Sequence, residues 1–212
     1  MIKNNLPRNI AIFPLSNAIF FPRTILPLNI FENRYLQLVD DCMKKDRMFG
    51  MVQPKNRSNN KTEVYKVGCL GKIINFNETK DKRFVINLSG IIRFKIKEET
   101  KNEKLYRKFT VDYSDFIDDL KEKKSEDLNL NKNNLLNKIK LFFEKLNYSI
   151  EFKELVKLNF DQLINTVCMI SPFSIEEKQK LIETVKLEDK FKVLDEIINF
   201  NLLDFQENKT IQ

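Results

Sequence analysis

Histidine and tryptophan are missing from this sequence altogether, and only four glycines occur among its 212 residues. Without an imidazole there can be no Ser-His or Cys-His nucleophile, no HExxH zinc site and no histidine acid or base. So few glycines leave little backbone for a nucleotide cradle. The three cysteines, Cys42, Cys69 and Cys168, are widely spaced and odd in number, which fits neither a disulfide framework nor a metal knuckle. They read as small buried hydrophobes, and no metal or cofactor is expected. Long apolar runs are lacking too. No stretch approaches the roughly 18 residues of a membrane span, and the N-terminal MIKNNLPRNIAIFPL has no continuous apolar region of the secretory kind. The expectation is a cytoplasmic protein with no membrane attachment.

Apolar bulk and charge are plentiful. An apolar fraction of 42% with eighteen phenylalanines points to a globular chain long enough for a sizeable core. The charge is uneven, about +10 over residues 1–117 and −3 over residues 118–212. A basic first half favours acidic partners such as nucleic acid, but its lysines are interspersed with acids, which is the pattern of solvated faces.

The first half has the period of strands. Phe84, Ile86 and Leu88 alternate with Val85, Asn87 and Ser89, and Ile92, Phe94 and Ile96 alternate with Arg93, Lys95 and Lys97. Ser89-Gly90 between them reads as a bulge or kink. Residues 66–76 predict a preceding strand, residues 77–82 a hairpin tip, and Phe109, Val111 and Tyr113 another strand. One helix is expected early, from Glu32, where Tyr35, Leu36, Val39, Cys42 and Met43 fall at helical spacing.

The second half has the period of helices. Residues 118–133 are polar and read as a connection. Apolar stripes then follow: Leu135, Ile139, Phe142 and Leu146; Leu163, Ile164, Val167 and Ile170; Leu181, Ile182 and Val185; and Leu187, Phe191, Leu194 and Ile198. Ser174 and Glu177 predict a capping box at the start of the third. The expected fold class is α+β: a β-rich domain over residues 1–117, a polar connection over 118–133, and a helical bundle over 134–212 packed on the sheet.

Little of this carries chemistry. Gly68-Cys69-Leu70-Gly71-Lys72 faintly resembles a phosphate loop, yet it lies inside a strand pattern and has Ile73 where a hydroxyl is needed. The acid pairs Asp40-Asp41, Glu98-Glu99 and Asp118-Asp119 lie in charged surroundings and read as solvated. No serine sits in a G-x-S-x-G elbow.

The segment FPLSNAIFFPRTILPLNIFENRY, Phe13 to Tyr35, is more distinctive. Pro14, Pro22 and Pro27 keep its apolar bursts short and extended. Phe13-Pro14-Leu15, Phe21-Pro22 and Leu26-Pro27-Leu28-Asn29-Ile30-Phe31-Glu32-Asn33-Arg34-Tyr35 together resemble the start of the Lon protease substrate-binding domain. The likeness continues through Asp46-Arg47, Phe49-Gly50, Val67 to Gly71, Leu88-Ser89-Gly90, Arg93-Phe94 and Val111-Asp112-Tyr113. In the helical half, residues 167–183 are similar to stand-alone members of that family. Two positions depart from its pattern: Arg23 stands where a glycine is usual, which puts the tight turn there in question, and Asn33 replaces a proline at the helix start.

The resemblance implies a PUA-like β pseudobarrel with one inserted helix, followed by a C-terminal helical bundle. It also implies recognition without cleavage, since these residues match neither the ATPase nor the Ser-Lys protease module of Lon. The expected partner is an unfolded or degron-bearing polypeptide, together with a separate ATP-dependent protease. RNA is the alternative, because PUA-like folds elsewhere bind it, and an enzyme is the reading the composition supports least. For the proline-cut apolar residues two roles stay open. They staple a small closed sheet, or Phe20, Phe21 and the edge of Phe31, Glu32, Arg34 and Tyr35 present apolar surface to a client.

Overall fold

The two runs of period-two alternation from Phe84 onward, on either side of Ser89-Gly90, form one strand, the longest, and the first half of the chain is organised around it. In the computed structural model, which describes residues 6–16, 18–58, 61–121 and 129–207, this strand is β7, Phe84–Thr100. Its companions are β1 (Asn9–Pro14), β2 (Ile25–Ile30), β3 (Met48–Val52), β6 (Val67–Glu78) and β8 (Arg107–Asp112). The order β2-β7-β6-β3-β1-β8, with β8 returning to pair with β7, closes five strands into a ring and leaves β2 outside it. One half of β7 pairs with β2 and β6; the other half, Lys95 to Thr100, pairs with β8. A separate hairpin of β4 (Pro54–Ser58) and β5 (Lys61–Val64), unanticipated from the sequence, lies between β3 and β6.

The kink expected at Ser89-Gly90 is a bulge. Leu70 pairs with Ile92 and Gly71 with Gly90, so Ile91 has no partner across the ladder. The paired glycines form a notch in the sheet. A Cβ on Gly71 would lie 2.7 Å from the ring of Phe20, and one on Gly90 would lie 2.0 Å from the carbonyl oxygen of Phe21. The Phe-Phe-Pro segment beds into this notch. Arg23 N–H donates to the Gly90 carbonyl and Gly90 N–H to the Thr24 carbonyl, both at 2.9 Å. Arg23 makes the turn at φ 61, in the left-handed region where glycine is favoured. The turn forms without the glycine, and the Arg23 guanidinium donates to the Lys121 carbonyl.

The inserted helix is α1, Asn33–Met43, with Glu32 as its N-cap and Tyr35, Leu38, Val39 and Cys42 buried. Tyr35 stacks on Phe13 with ring centroids 4.0 Å apart. The segment expected to be a free connection starts within a 3-10 helix, Ser114–Leu120, and its far end belongs to the next helix. The middle of that segment, 122–128, falls outside the described residues.

By its internal contacts the chain divides into Met1–Lys121 and Glu122–Gln212. The second unit contains α2 (Asn129–Lys145), α3 (Phe152–Lys157), α4 (Phe160–Ile170), α5 (Ile175–Glu183) and α6 (Leu187–Glu207). The capping box opens α5: Glu177 N–H donates to Ser174 Oγ at 3.2 Å and Ser174 N–H to Glu177 Oε2 at 2.8 Å. A second box, Asn159 with Gln162, opens α4. Asn147, at φ 55, ends α2 in the left-handed geometry that asparagine tolerates. Most of the expected stripe positions are buried, among them Leu135, Ile139, Leu163, Val167, Leu194 and Ile198, whereas Ile170 and Val185, at the ends of their stripes, are exposed. The α+β class, with strands first and helices after, is the architecture observed.

Candidate binding surface

Of the six residues proposed to catch a client, the fold removes three. Phe20 and Phe21 are 2% and 0% exposed because they line the glycine notch, and Tyr35 is buried between α1 and Phe13. For these the stapling role is the one the structure gives. Phe31 is 64% exposed. Beside it, Arg34 grips Glu32 through Nε at 3.0 Å and Nη2 at 2.7 Å, with its guanidinium 4.5 Å above the Tyr35 ring. Burial pushes the Tyr35 hydroxyl above its ordinary value, and the neighbouring Arg34 only partly offsets this.

A larger surface lies next to Phe31 and was not anticipated. Register places Ile25 opposite Ser89, Pro27 opposite Asn87 and Asn29 opposite Val85, and then Lys72 opposite Ser89, Asn75 opposite Asn87 and Asn77 opposite Val85. Directly opposed residues share a face, so these nine form three rows on one side of β2, β7 and β6. Their alternates Leu28, Ile30, Ile86, Leu88 and Ile73 are buried on the other side. Ile25 and Val85 are 53% and 41% exposed, and Ile74, at a second bulge beside the rows, is 48% exposed. Lys72 is the one charged residue among the nine, in a chain that is 32% charged. The alternation of Val85, Asn87 and Ser89 was readable in advance. That of β2 was not, because ILPLNI is apolar at both parities.

Nothing in this surface is arranged for acid–base or nucleophilic work. The first unit also holds a small cleft, about 80 Å³, bordered by Pro7, Asn9, Ala11, Asp41, Cys42 and Tyr106. Hydrogen bonds from Lys104, at 2.9 Å, and from Tyr106 Oη, at 2.8 Å, hold the Asp41 carboxyl below the usual carboxylate range. Burial pushes the Cys42 thiol up to about 12 and the Cys168 thiol likewise. A carboxylate held ionised and a thiol held protonated are the reverse of a poised base or nucleophile. The Gly68 to Lys72 segment is interior strand, paired with β3 and β7, and no phosphate loop. Among the described residues no group of three or more His, Cys, Asp or Glu could hold a metal ion, and no helix is long and apolar enough to cross a membrane.

Residues 1–117 keep an excess of about ten positive charges, and part of their cations are paired. Lys44, Arg83, Arg93, Lys97, Lys104 and Arg107 each meet a carboxylate within 3.0 Å.

Comparison with known proteins agrees with this architecture. The profile of the family described as the ATP-dependent protease La (LON) substrate-binding domain matches residues 9–199. The Lon protease of Syntrophus aciditrophicus (strain SB) is 25% identical over 98% of this chain and 27% of its own length. Lon protease 2 of Myxococcus xanthus is 25% identical over 93% of this chain and 24% of its own. The chain thus spans about a quarter of the length of these curated relatives. Among solved structures, the N-terminal domain of a Mycobacterium avium complex Lon protease superposes with a TM-score of 0.66 at 12% identity, covering 90% of this chain and 98% of the other. A Lon N-terminal domain protein from Xanthomonas campestris gives 0.59 at 19% identity, covering 90% and 97%. At such identities these two structures establish the fold alone.

Proposed function

The chain belongs to the ATP-dependent protease La (LON) substrate-binding domain family, and from that premise we propose that it is a non-catalytic recognition module for unfolded or degron-bearing polypeptides. It works in the cytoplasm and delivers clients to a separate ATP-dependent protease. The family match is to the substrate-binding part of Lon, not to its ATPase or protease parts.

The observation that carries this reading is the charge-poor face of β2, β7 and β6, continued at one end by Phe31. Ile25, Pro27 and Val85 supply apolar contact, and Asn29, Asn75, Asn77 and Asn87 supply amide donors and acceptors without charge. Such a surface favours the uncharged, apolar stretches that a folded protein hides and an unfolded one exposes. The scarcity of charge on this face, where Lys72 is the one cation among nine residues, weighs against its serving the RNA alternative, which needs cations for phosphates.

Titration of labelled, reduced and carboxamidomethylated α-lactalbumin with the full chain tests the proposal by fluorescence anisotropy. Saturable binding that changes less than about threefold between roughly 0.05 and 0.5 M salt is expected. No binding of the unfolded protein, or binding of homopolymeric RNA alone with a steep salt slope, would overturn it.

A further inference from the structure

β2 is the open edge of the sheet. Among the described residues it pairs with β7 alone, while β7, β6, β3, β1 and β8 close on one another. Edges of this kind are commonly guarded by charged side chains, bulges or proline. Here the strand reads ILPLNI, with no charge and no bulge, and Pro27 at its centre is its one guard. Proline has no N–H to give, so Pro27 fits β2 with its nitrogen turned away from β7. Backbone direction alternates with period two, so Ile25 and Asn29 turn their N–H and C=O groups the same way, to the open side. Their side chains, with that of Pro27, are exposed on the charge-poor face. Backbone groups and side chains therefore converge along one strand.

We infer that β2 takes an extended client segment by strand addition, pairing through the N–H and C=O groups of Ile25 and Asn29 and the C=O of Pro27 while the client's side chains lie along the face formed with Val85 and Asn87. This deepens the recognition reading and rests on it. The occupant is an uncharged extended stretch of unfolded polypeptide. Charge complementarity selects it: apart from Lys72, two strands away, the nine-residue face offers no countercharge, so a charged segment would lose hydration and gain no partner.

The test uses the 212-residue chain and two probes, carboxamidomethylated α-lactalbumin and a short capped peptide of alternating valine and threonine. Asn29→Pro removes one open-edge donor, whereas Asn29→Ala keeps the N–H and removes only the side chain. Strand addition predicts that the alanine variant binds both probes within about twofold of wild type. The proline variant should lose about tenfold while its circular dichroism and urea midpoint stay close to those of the alanine variant. A version of the peptide N-methylated at every residue leaves the protein untouched and should also bind at least about tenfold more weakly. Equal binding of plain and N-methylated peptide would overturn the inference, since capture would then be by side chains alone. Equal binding of α-lactalbumin to both Asn29 variants would overturn it while leaving the recognition reading intact. Failure of α-lactalbumin to bind the wild-type chain would remove that reading itself, and strand addition with it. Concentration-dependent dimers that Asn29→Pro dissolves would place a second copy on the edge and likewise overturn the proposal.

Discussion

Arg93 on β7 and Asp119 in the 3-10 helix after β8 form a closed, two-pronged ion pair inside the first unit. Arg93 Nη2 lies 2.7 Å from Asp119 Oδ1, and Nε and the backbone N–H of Arg93 lie 2.9 and 3.1 Å from Oδ2. The side chains are 3% and 12% exposed, and the guanidinium sits 4.6 Å above the Phe116 ring. The bulge at Ile91 puts Arg93 on the same side as Cys69, its partner in register, where it would otherwise be an unpaired charge among apolar groups. Removing one partner leaves the other desolvated, so Arg93→Met and Asp119→Ala should each cost about 3 to 5 kcal/mol. The Arg93→Met/Asp119→Leu pair should cost less than the sum of its single changes. Urea midpoints assembled into a double-mutant cycle measure this, and strict additivity would refute coupling.

Gly90→Ala should be among the most damaging small substitutions. The added methyl meets the backbone of Phe21, which cannot rotate away as a side chain can. A loss of at least about 2 kcal/mol is expected, read as a lowered urea midpoint. A near-neutral effect would mean that the Phe-Phe-Pro segment is not bedded on β7.

Arg23 makes a turn for which its backbone is poorly suited. Arg23→Ala keeps the left-handed strain and removes the guanidinium bond to the Lys121 carbonyl, whereas Arg23→Gly removes both. The glycine variant should therefore be more stable than the alanine variant by about 1 kcal/mol. Thermal melts of the two, compared with each other, isolate the backbone contribution.

Alkaline conditions should destabilise the chain. The Cys42 and Cys168 thiols are pushed up to about 12 by burial, and the Tyr35, Tyr106 and Tyr113 hydroxyls are also raised, chiefly by burial. The folded state thus keeps protons that the unfolded chain releases above about pH 9 for thiols and about pH 10 for phenols. Their stabilisation is complete below those values and declines as pH rises toward the folded ones. Lys178, whose ammonium is pushed down by burial, works in the opposite sense. The urea midpoint should fall between about pH 8 and about pH 11. At about pH 8 the native chain should react with a thiol reagent far more slowly than the unfolded one, all three cysteines being buried.

Phe31 contributes surface and little packing. Phe31→Ser should change stability by no more than about 0.5 kcal/mol while weakening capture of carboxamidomethylated α-lactalbumin several-fold. Phe21→Ser, by contrast, should unfold the first unit, because that ring is fully buried. A Phe31→Ser chain that binds as well as wild type would confine recognition to the sheet.

Much of the fold was legible because periodicity is a local property. The alternation through Phe84 to Leu88 and Ile92 to Ile96, the stripe from Tyr35 to Met43, and the Ser174 to Glu177 box all report a face or a cap from neighbours a few residues away. Arg93 was read as an outward position because alternation cannot announce that a bulge and a distant carboxylate will bury it. The surface on β2 was hidden for a related reason: Ile25, Leu26, Pro27 and Leu28 look alike in sequence, and only pairing with β7 separates exposed Ile25 and Pro27 from half-buried Leu26 and buried Leu28.

By itself, the amino-acid order determined the class of the protein: strands then helices, prolines that hold the apolar opening in short extended pieces, and no imidazole with which to do chemistry. Which phenylalanines are staples and which is exposed was decided by closure of the sheet. Phe20 and Phe21 find two glycines facing each other across β6 and β7, and Phe31 finds solvent. The physical reason is that hydrophobicity belongs to a side chain, whereas burial belongs to the space that distant strands leave for it.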